Sequence, residues 1–147
     1  MVGVPSFQET VRRGHITSQT NLLVYDLNLA RSEALKRSVQ VTVQRTGANW
    51  ENGWQVFADP NGNGTADTGD DVIHIFEGLS DGFTLRSGAN FSDWVAFLPN
   101  GFSQGSGSLN NDTFRLCDDN QVASEGRSIV INVAGRIRMA QGTASCP

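Results

Sequence analysis

The sequence predicts an α+β fold, one long amino-terminal helix packed on antiparallel β-sheets, on three observations. Apolar and small residues recur at alternating spacings of four and three from Ile16 to Ala34, with no proline between Pro5 and about Arg37. After Ser38 the period changes to two, as Val39, Val41 and Val43 alternate with Gln40, Thr42 and Gln44. From there onward short apolar runs are separated by connections rich in Gly, Asn, Asp and Ser. With 147 residues and 38% hydrophobic content, the chain can bury one core and is too short to divide comfortably, so residues 1–147 are expected to form a single domain.

The helical stripe is Ile16, Thr20, Leu23, Leu27, Ala30 and Ala34, and Arg12, Arg13, Arg31, Glu33 and Arg37 fall off it. Pro5 suits a first turn, and only Gly14 interrupts. A single helix of roughly 30 residues exceeds the usual globular length, so its C-terminal half is expected on the sheet and its N-terminal half beyond the domain or along a partner. The strand candidates are Val39–Val43, Gly53–Ala58, Val72–Phe76, Phe83–Arg86, Trp94–Leu98, Thr113–Cys117, Ser128–Val133 and Arg136–Met139, and Gly101–Asn111 is polar enough to expect a mobile loop. Trp50, Trp54, Trp94 and the 8 Phe are expected as core and loop anchors.

Eleven Lys and Arg against 15 acidic residues give a net charge of -4 and a pI near 5.0, which excludes a protein that coats nucleic acid over its whole surface. A local basic patch remains open. Cys117 and Cys146 have no CxxC spacing, and His15 and His74 form no cluster with them, so metal ligation is disfavoured. A disulfide is the better reading; two separate buried thiols are the alternative, and a cysteine so near the chain end is hard to bury. No run of about 18 apolar residues occurs, and no basic-then-apolar signal peptide opens the chain. If the cysteines are bridged in an oxidising compartment, the chain is expected to begin downstream of a removed segment.

Gly3-Val4-Pro5-Ser6-Phe7 opening the helix, then Asn28-Leu29-Ala30-Arg31-Ser32-Glu33-Ala34 and the strand Val39–Val43, resemble the start of the soluble part of GspH/FimT-type minor pilins. The resemblance continues through Trp54-Gln55-Val56-Phe57, Asp59-Pro60-Asn61-Gly62-Asn63-Gly64, Phe97-Leu98-Pro99-Asn100-Gly101, Thr113-Phe114-Arg115-Leu116-Cys117 and Gly135-Arg136-Ile137-Arg138. It implies a non-enzymatic type IV pilin-like subunit whose partners are other major and minor pilins. It also implies an apolar half-helix preceding the present chain, held in the inner membrane before assembly and in the extracellular fibre afterwards. The sequence given lacks that apolar segment and its peptidase site, so processing and insertion rest on the resemblance alone.

Two constellations carry possible chemistry. Asp59 to Asp70 fits the calcium-loop template at positions one, three, five, six, nine and twelve, with Asp70 where a bidentate Glu is usual. Its flanks read as strands and its residues are those of ordinary hairpin loops, so no tight calcium site, and no cofactor, is expected. In Gly135-Arg136-Ile137-Arg138 two guanidiniums two residues apart on a strand share one face, and Arg suits phosphate. The resemblance to FimT-like pilins implies that this GRxR segment contacts double-stranded DNA during natural transformation, with Arg127 assisting if its strand lies alongside. The competing readings are an edge strand charged against aggregation, and a purely structural tip or priming pilin, or a GspH-like pseudopilin of a type II secretion system, without DNA. No Gly-x-Ser-x-Gly or HExxH arrangement occurs, and no enzymatic activity is expected.

Overall fold

Residues 3–147 are described by the computed structural model, with side chains from Phe7 onward; the chain start at Met1 and the side chains of Val4, Pro5 and Ser6 lie outside the described residues. Helix α1 runs Gly3–Arg37. Every member of the stripe, Ile16, Thr20, Leu23, Leu27, Ala30 and Ala34, is buried. Docking begins earlier than the C-terminal half: Arg12 pairs with Glu125 and lies 3.6 Å from Asp118, which ties the helix to the loop before β8. The helix ends at Ser38, in the left-handed region at φ 57, whose N–H donates to Ala34 O at 3.0 Å.

Nine strands follow: β1 Val41–Arg45, β2 Trp54–Ala58, β3 Val72–Phe76, β4 Thr84–Arg86, β5 Trp94–Phe97, β6 Ser103–Gly105, β7 Asp112–Cys117, β8 Arg127–Ile131 and β9 Ile137–Gln141. They form a five-stranded sheet, β3-β2-β1-β5-β6, and a four-stranded sheet, β4-β7-β8-β9, with antiparallel pairing throughout. The helix packs on both, touching β1, β2 and β5 of one and β7, β8 and β9 of the other. One apolar cluster joins the three layers, from Leu23 and Leu27 through Val41, Val43 and Val95 to Phe114, Ile129 and Ile131. Leu27 has no exposed surface, so Leu27→Ala is expected to cost about 3 kcal/mol, read as a lower urea midpoint with an unchanged m-value.

Two expectations are corrected by pairing that the local sequence does not reveal. The Gly101–Asn111 segment contains β6, which pairs with β5, and its Ser103 is buried with Oγ 2.6 Å from Asn110 O and 2.7 Å from Asn132 O. The first strand begins at Val41 instead of Val39, and Thr42, expected on the wet face, is buried because its hydroxyl donates to Asp59 Oδ2 at 2.8 Å. Trp50 and Trp54 are buried, with Trp50 edge-on to Phe114 at 5.0 Å and Trp54 stacked on Phe76 at 4.4 Å. Each indole finds an acceptor: Trp50 Nε1 donates to Phe91 O at 3.0 Å, and Trp54 Nε1 to the buried Asp26 Oδ2 at 2.8 Å.

Glu51 couples the two sheets. Its Oε1 accepts from Leu85 N–H at 3.0 Å and Arg86 Nε at 3.1 Å, and its Oε2 from a terminal guanidinium nitrogen of Arg86 at 2.8 Å. Burial pushes this carboxyl up, but the Arg86 and backbone hydrogen bonds more than offset it and hold it below its ordinary 4.5. A depressed carboxyl contributes stability that is fully present above its unfolded value and is lost as the pH falls through the folded one. Glu51→Gln is therefore expected to be less stable than the parent near neutral pH, with the gap narrowing as the pH drops below 4.5, measured by denaturation at a series of pH values.

Candidate nucleic-acid interface

The segment between β8 and β9 is a tight turn whose shape follows from Asn132 and Gly135. Asn132 Oδ1 accepts from Arg136 N–H at 2.9 Å, Asn132 O from Gly135 N–H at 2.9 Å, and Arg136 O from Asn132 N–H at 3.2 Å. Gly135 stands at φ 84, and a Cβ there would overlap the Gly101 carbonyl, so both the conformation and the close approach require glycine. That carbonyl also accepts from Arg31 Nε at 3.1 Å, which lets α1 fix the height at which the turn leaves the sheet.

The register then decides which arginines meet. Ile131 pairs with Ile137 and Val130 with Arg138, so Arg136 and Arg138 project from the face opposite the buried Ile129 and Ile131. Their Cα atoms are about 7 Å apart by strand rise, and with Val130 and Asn132 they line a shallow cavity of about 270 Å³. Both are exposed. Arg127 belongs elsewhere. It pairs with Gln141 and Leu116, on the face of Ile129, and lines a cavity against α1 with Thr17, Thr20 and Met139. Its guanidinium donates to Glu125 O and Gly126 O, each at 2.9 Å. β8 does lie alongside β9, but the period of two turns Arg127 away from the other two.

Sorting the 11 cations by partner sharpens this picture. Arg12, Arg13, Lys36, Arg37, Arg45 and Arg86 each face a carboxylate within ion-pair distance. Arg31 and Arg127 are spent on backbone carbonyls. Among the described residues Arg115, Arg136 and Arg138 make no ion pair, and all three stand on the outer face of the four-stranded sheet, where Arg115 in β7 is opposite Ser128 in β8. Arg115 is the residue sequence reasoning missed. Its alternation with the buried Phe114 and Leu116 signals an outward direction, but only the β7-β8-β9 order brings it to the same face as Arg136 and Arg138.

The chain end frames this face. Cys117 and Cys146 are joined, with Cα atoms 6.1 Å apart. Thr143 N–H donates to Ala123 O at 2.8 Å, and a terminal nitrogen of Arg115 donates to Ser145 Oγ at 3.1 Å, so the tail lies beside β7. The histidines are remote. His15 is exposed on α1, and His74 in β3 places Nδ1 2.9 Å from Asp26 Oδ1, beside a groove of about 710 Å³ that Leu22, Tyr25 and Phe76 also line.

Among the described residues no helix is long and apolar enough to cross a membrane. No curated protein is similar enough in sequence to be matched. Two crystal forms of the type IV minor pilin FimU of Pseudomonas aeruginosa share the fold. One superposes with a TM-score of 0.76 at 20% identity, covering 94% of this chain and 99% of that one. The other gives 0.69 at 22% identity, covering 89% and 99%. One long helix on antiparallel sheets is thus the type IV pilin fold. The family model described as type II transport protein GspH matches residues 19–135, ending one residue before Arg136, so it covers most of the chain but not the arginine strand. On that match the chain belongs to the GspH family.

Proposed function

We propose that this chain is a minor pilin of a type IV pilus that assembles with other pilins and contacts double-stranded DNA through Arg136 and Arg138. The observation that carries the DNA reading is the sorting of cations. An acidic protein holds a duplex only where a few positive charges converge unpaired, and Arg136 in the turn and Arg138 in β9, with Arg115 two strands away, are that convergence. Phosphate contacts of this kind position a protein without reading sequence, so binding is weak and indifferent to base composition. The pilin half of the reading rests on the family and on the FimU-like fold. Exposed Phe7 and Val11 near the start of α1 suit a helix that continues into a fibre among other helices, anchored in the inner membrane before assembly and extracellular afterwards.

The test is a DNA mobility shift at several salt concentrations on the parent chain. A shift that weakens with salt and is displaced equally by competitors of any composition supports the reading. The family description favours a second reading, a GspH-like pseudopilin of a type II secretion system without DNA binding. Under that reading no shift occurs at low salt, and the chain associates with secretion pseudopilins.

A further inference from the structure

The segment between β2 and β3 carries oxygen-bearing side chains at alternate positions, Asp59, Asn61, Asn63 and Asp67, with Gly64 at the bend at φ 78 and Asp70 at the twelfth position. Spacing by itself decides nothing, because hairpin loops use the same residues. One atom sets this loop apart. Asp59 is fully buried at 0% exposure, and its Oδ1 has no hydrogen-bond partner. Its other oxygen is saturated: Oδ2 accepts from Gly64 N–H at 2.9 Å, Thr42 Oγ1 at 2.8 Å and Gln40 Nε2 at 3.4 Å. The Gly64 amide belongs to the loop's own bend, so the carboxylate is tied to the loop through Oδ2 and keeps one oxygen unspent. A buried carboxylate oxygen without a donor is costly unless a cation meets it.

Three of the other positions are drawn together. Asp67 Oδ2 lies 2.8 Å from Asn61 Nδ2 and 2.7 Å from Asn63 Nδ2, so the third, fifth and ninth positions already converge. Each carboxamide oxygen accepts one loop N–H, Asn61 Oδ1 from Asn63 at 3.3 Å and Asn63 Oδ1 from Thr65 at 3.0 Å, and keeps a second lone pair. Among the described residues no three His, Cys, Asp or Glu side chains gather as a metal site, and the donor set here is of another kind, carboxylate mixed with carboxamide.

We propose that this loop binds Ca²⁺, with Asp59 Oδ1, the side-chain oxygens of Asn61, Asn63 and Asp67, and the Thr65 carbonyl as ligands. All-oxygen donors on a flexible loop suit a hard cation of variable coordination, and disfavour transition metals for want of nitrogen or sulfur. Asp70 is one methylene shorter than the usual bidentate Glu, and its Oδ2 is engaged by Asp67 N–H at 2.9 Å. The site therefore lacks its strongest ligand, and the dissociation constant falls at about 10⁻⁴–10⁻³ M, the range of extracellular modules.

The fold supplies its own reporter. A Cβ on Gly64 would overlap the Trp94 indole, so the bend of the loop rests on that ring. Tb³⁺, which replaces Ca²⁺ at oxygen sites, should show emission sensitised by Trp94 when added to the full chain. The expected result is a saturable signal displaced by Ca²⁺, weakened at least tenfold in Asp67→Ala, with a melting temperature of the parent that rises with Ca²⁺. Asp59→Asn should lose the signal too, but Asp59 also holds Thr42, so the exposed Asp67 decides. Absence of sensitised emission, persistence in Asp67→Ala, or failure of about 10 mM Ca²⁺ to displace Tb³⁺ would each overturn the proposal.

Discussion

Replacing Arg136 and Arg138 together by Gln is expected to abolish the DNA mobility shift while leaving the melting temperature within about 2 °C of the parent. Both side chains are exposed and unpaired, so nothing in the fold depends on them, and surface changes of this kind usually move stability by about 0.5 kcal/mol or less. Each phosphate contact removed should also make the logarithmic salt slope shallower by about 0.9. From a parent slope of roughly -2 to -4, set by about two to four contacts, residual binding measured in solution below the gel's detection would keep a slope between about zero and -2. Arg115→Gln should weaken binding less, because Arg115 stands two strands away and already donates to Ser145. Arg127→Gln should leave DNA affinity unchanged, since that guanidinium faces α1 and caps the carbonyls of Glu125 and Gly126. A double variant that binds like the parent would show the arginines to be protection for the exposed edge of β9, and loss of pilus assembly in the same variant would assign them to subunit packing.

Removing the bridge, by Cys117→Ala with Cys146→Ala, is expected to lower stability by about 3 kcal/mol and the melting temperature by roughly 10 °C. The closed segment has a sequence separation of 29, and its release returns freedom to the unfolded chain, most of the expected effect. A smaller share comes from the folded state. Cys117 is fully buried beside β8, and the tail it holds contributes the Thr143–Ala123 and Arg115–Ser145 hydrogen bonds. Thermal melting of parent and variant under the same oxidising conditions measures the total. Reducing the parent should reproduce most of the shift, which separates loss of the bridge from loss of sulfur volume. Equal melting temperatures would mean that the tail is held by its hydrogen bonds alone.

The helix was legible in the sequence because its cause is local. Six residues at spacings of four and three made one stripe, and all six are buried. The strand over Thr113–Cys117, in which the buried Phe114 and Leu116 alternate with Thr113 and Arg115, was legible for the same reason. What escaped depended on partners distant in the chain. Asp26 reads as a solvated helix position, yet it is 1% exposed because Trp54 and His74, from two strands, both bring it a ring nitrogen. β6 has no hydrophobic pattern and exists because β5 offers it an edge. Within the candidate interface, residue type pointed to Arg136 and Arg138 directly. Which neighbour joins them, Arg115 and not Arg127, was fixed by the β7-β8-β9 register, which no spacing along one strand encodes.

The bond between Cys117 and Cys146 also bears on resistance to proteolysis. Arg127, Arg136 and Arg138 all lie between the bridged residues, and of these three Arg136 and Arg138 are exposed to a trypsin-like protease. A single nick there frees nothing. The two pieces stay linked through sulfur, and β9 stays hydrogen-bonded to β8, so the subunit keeps its outline and its attachment. Nicked protein should run as one full-length band without reductant and as two with it. The surface proposed to contact DNA is thus placed where damage to its backbone does not release it.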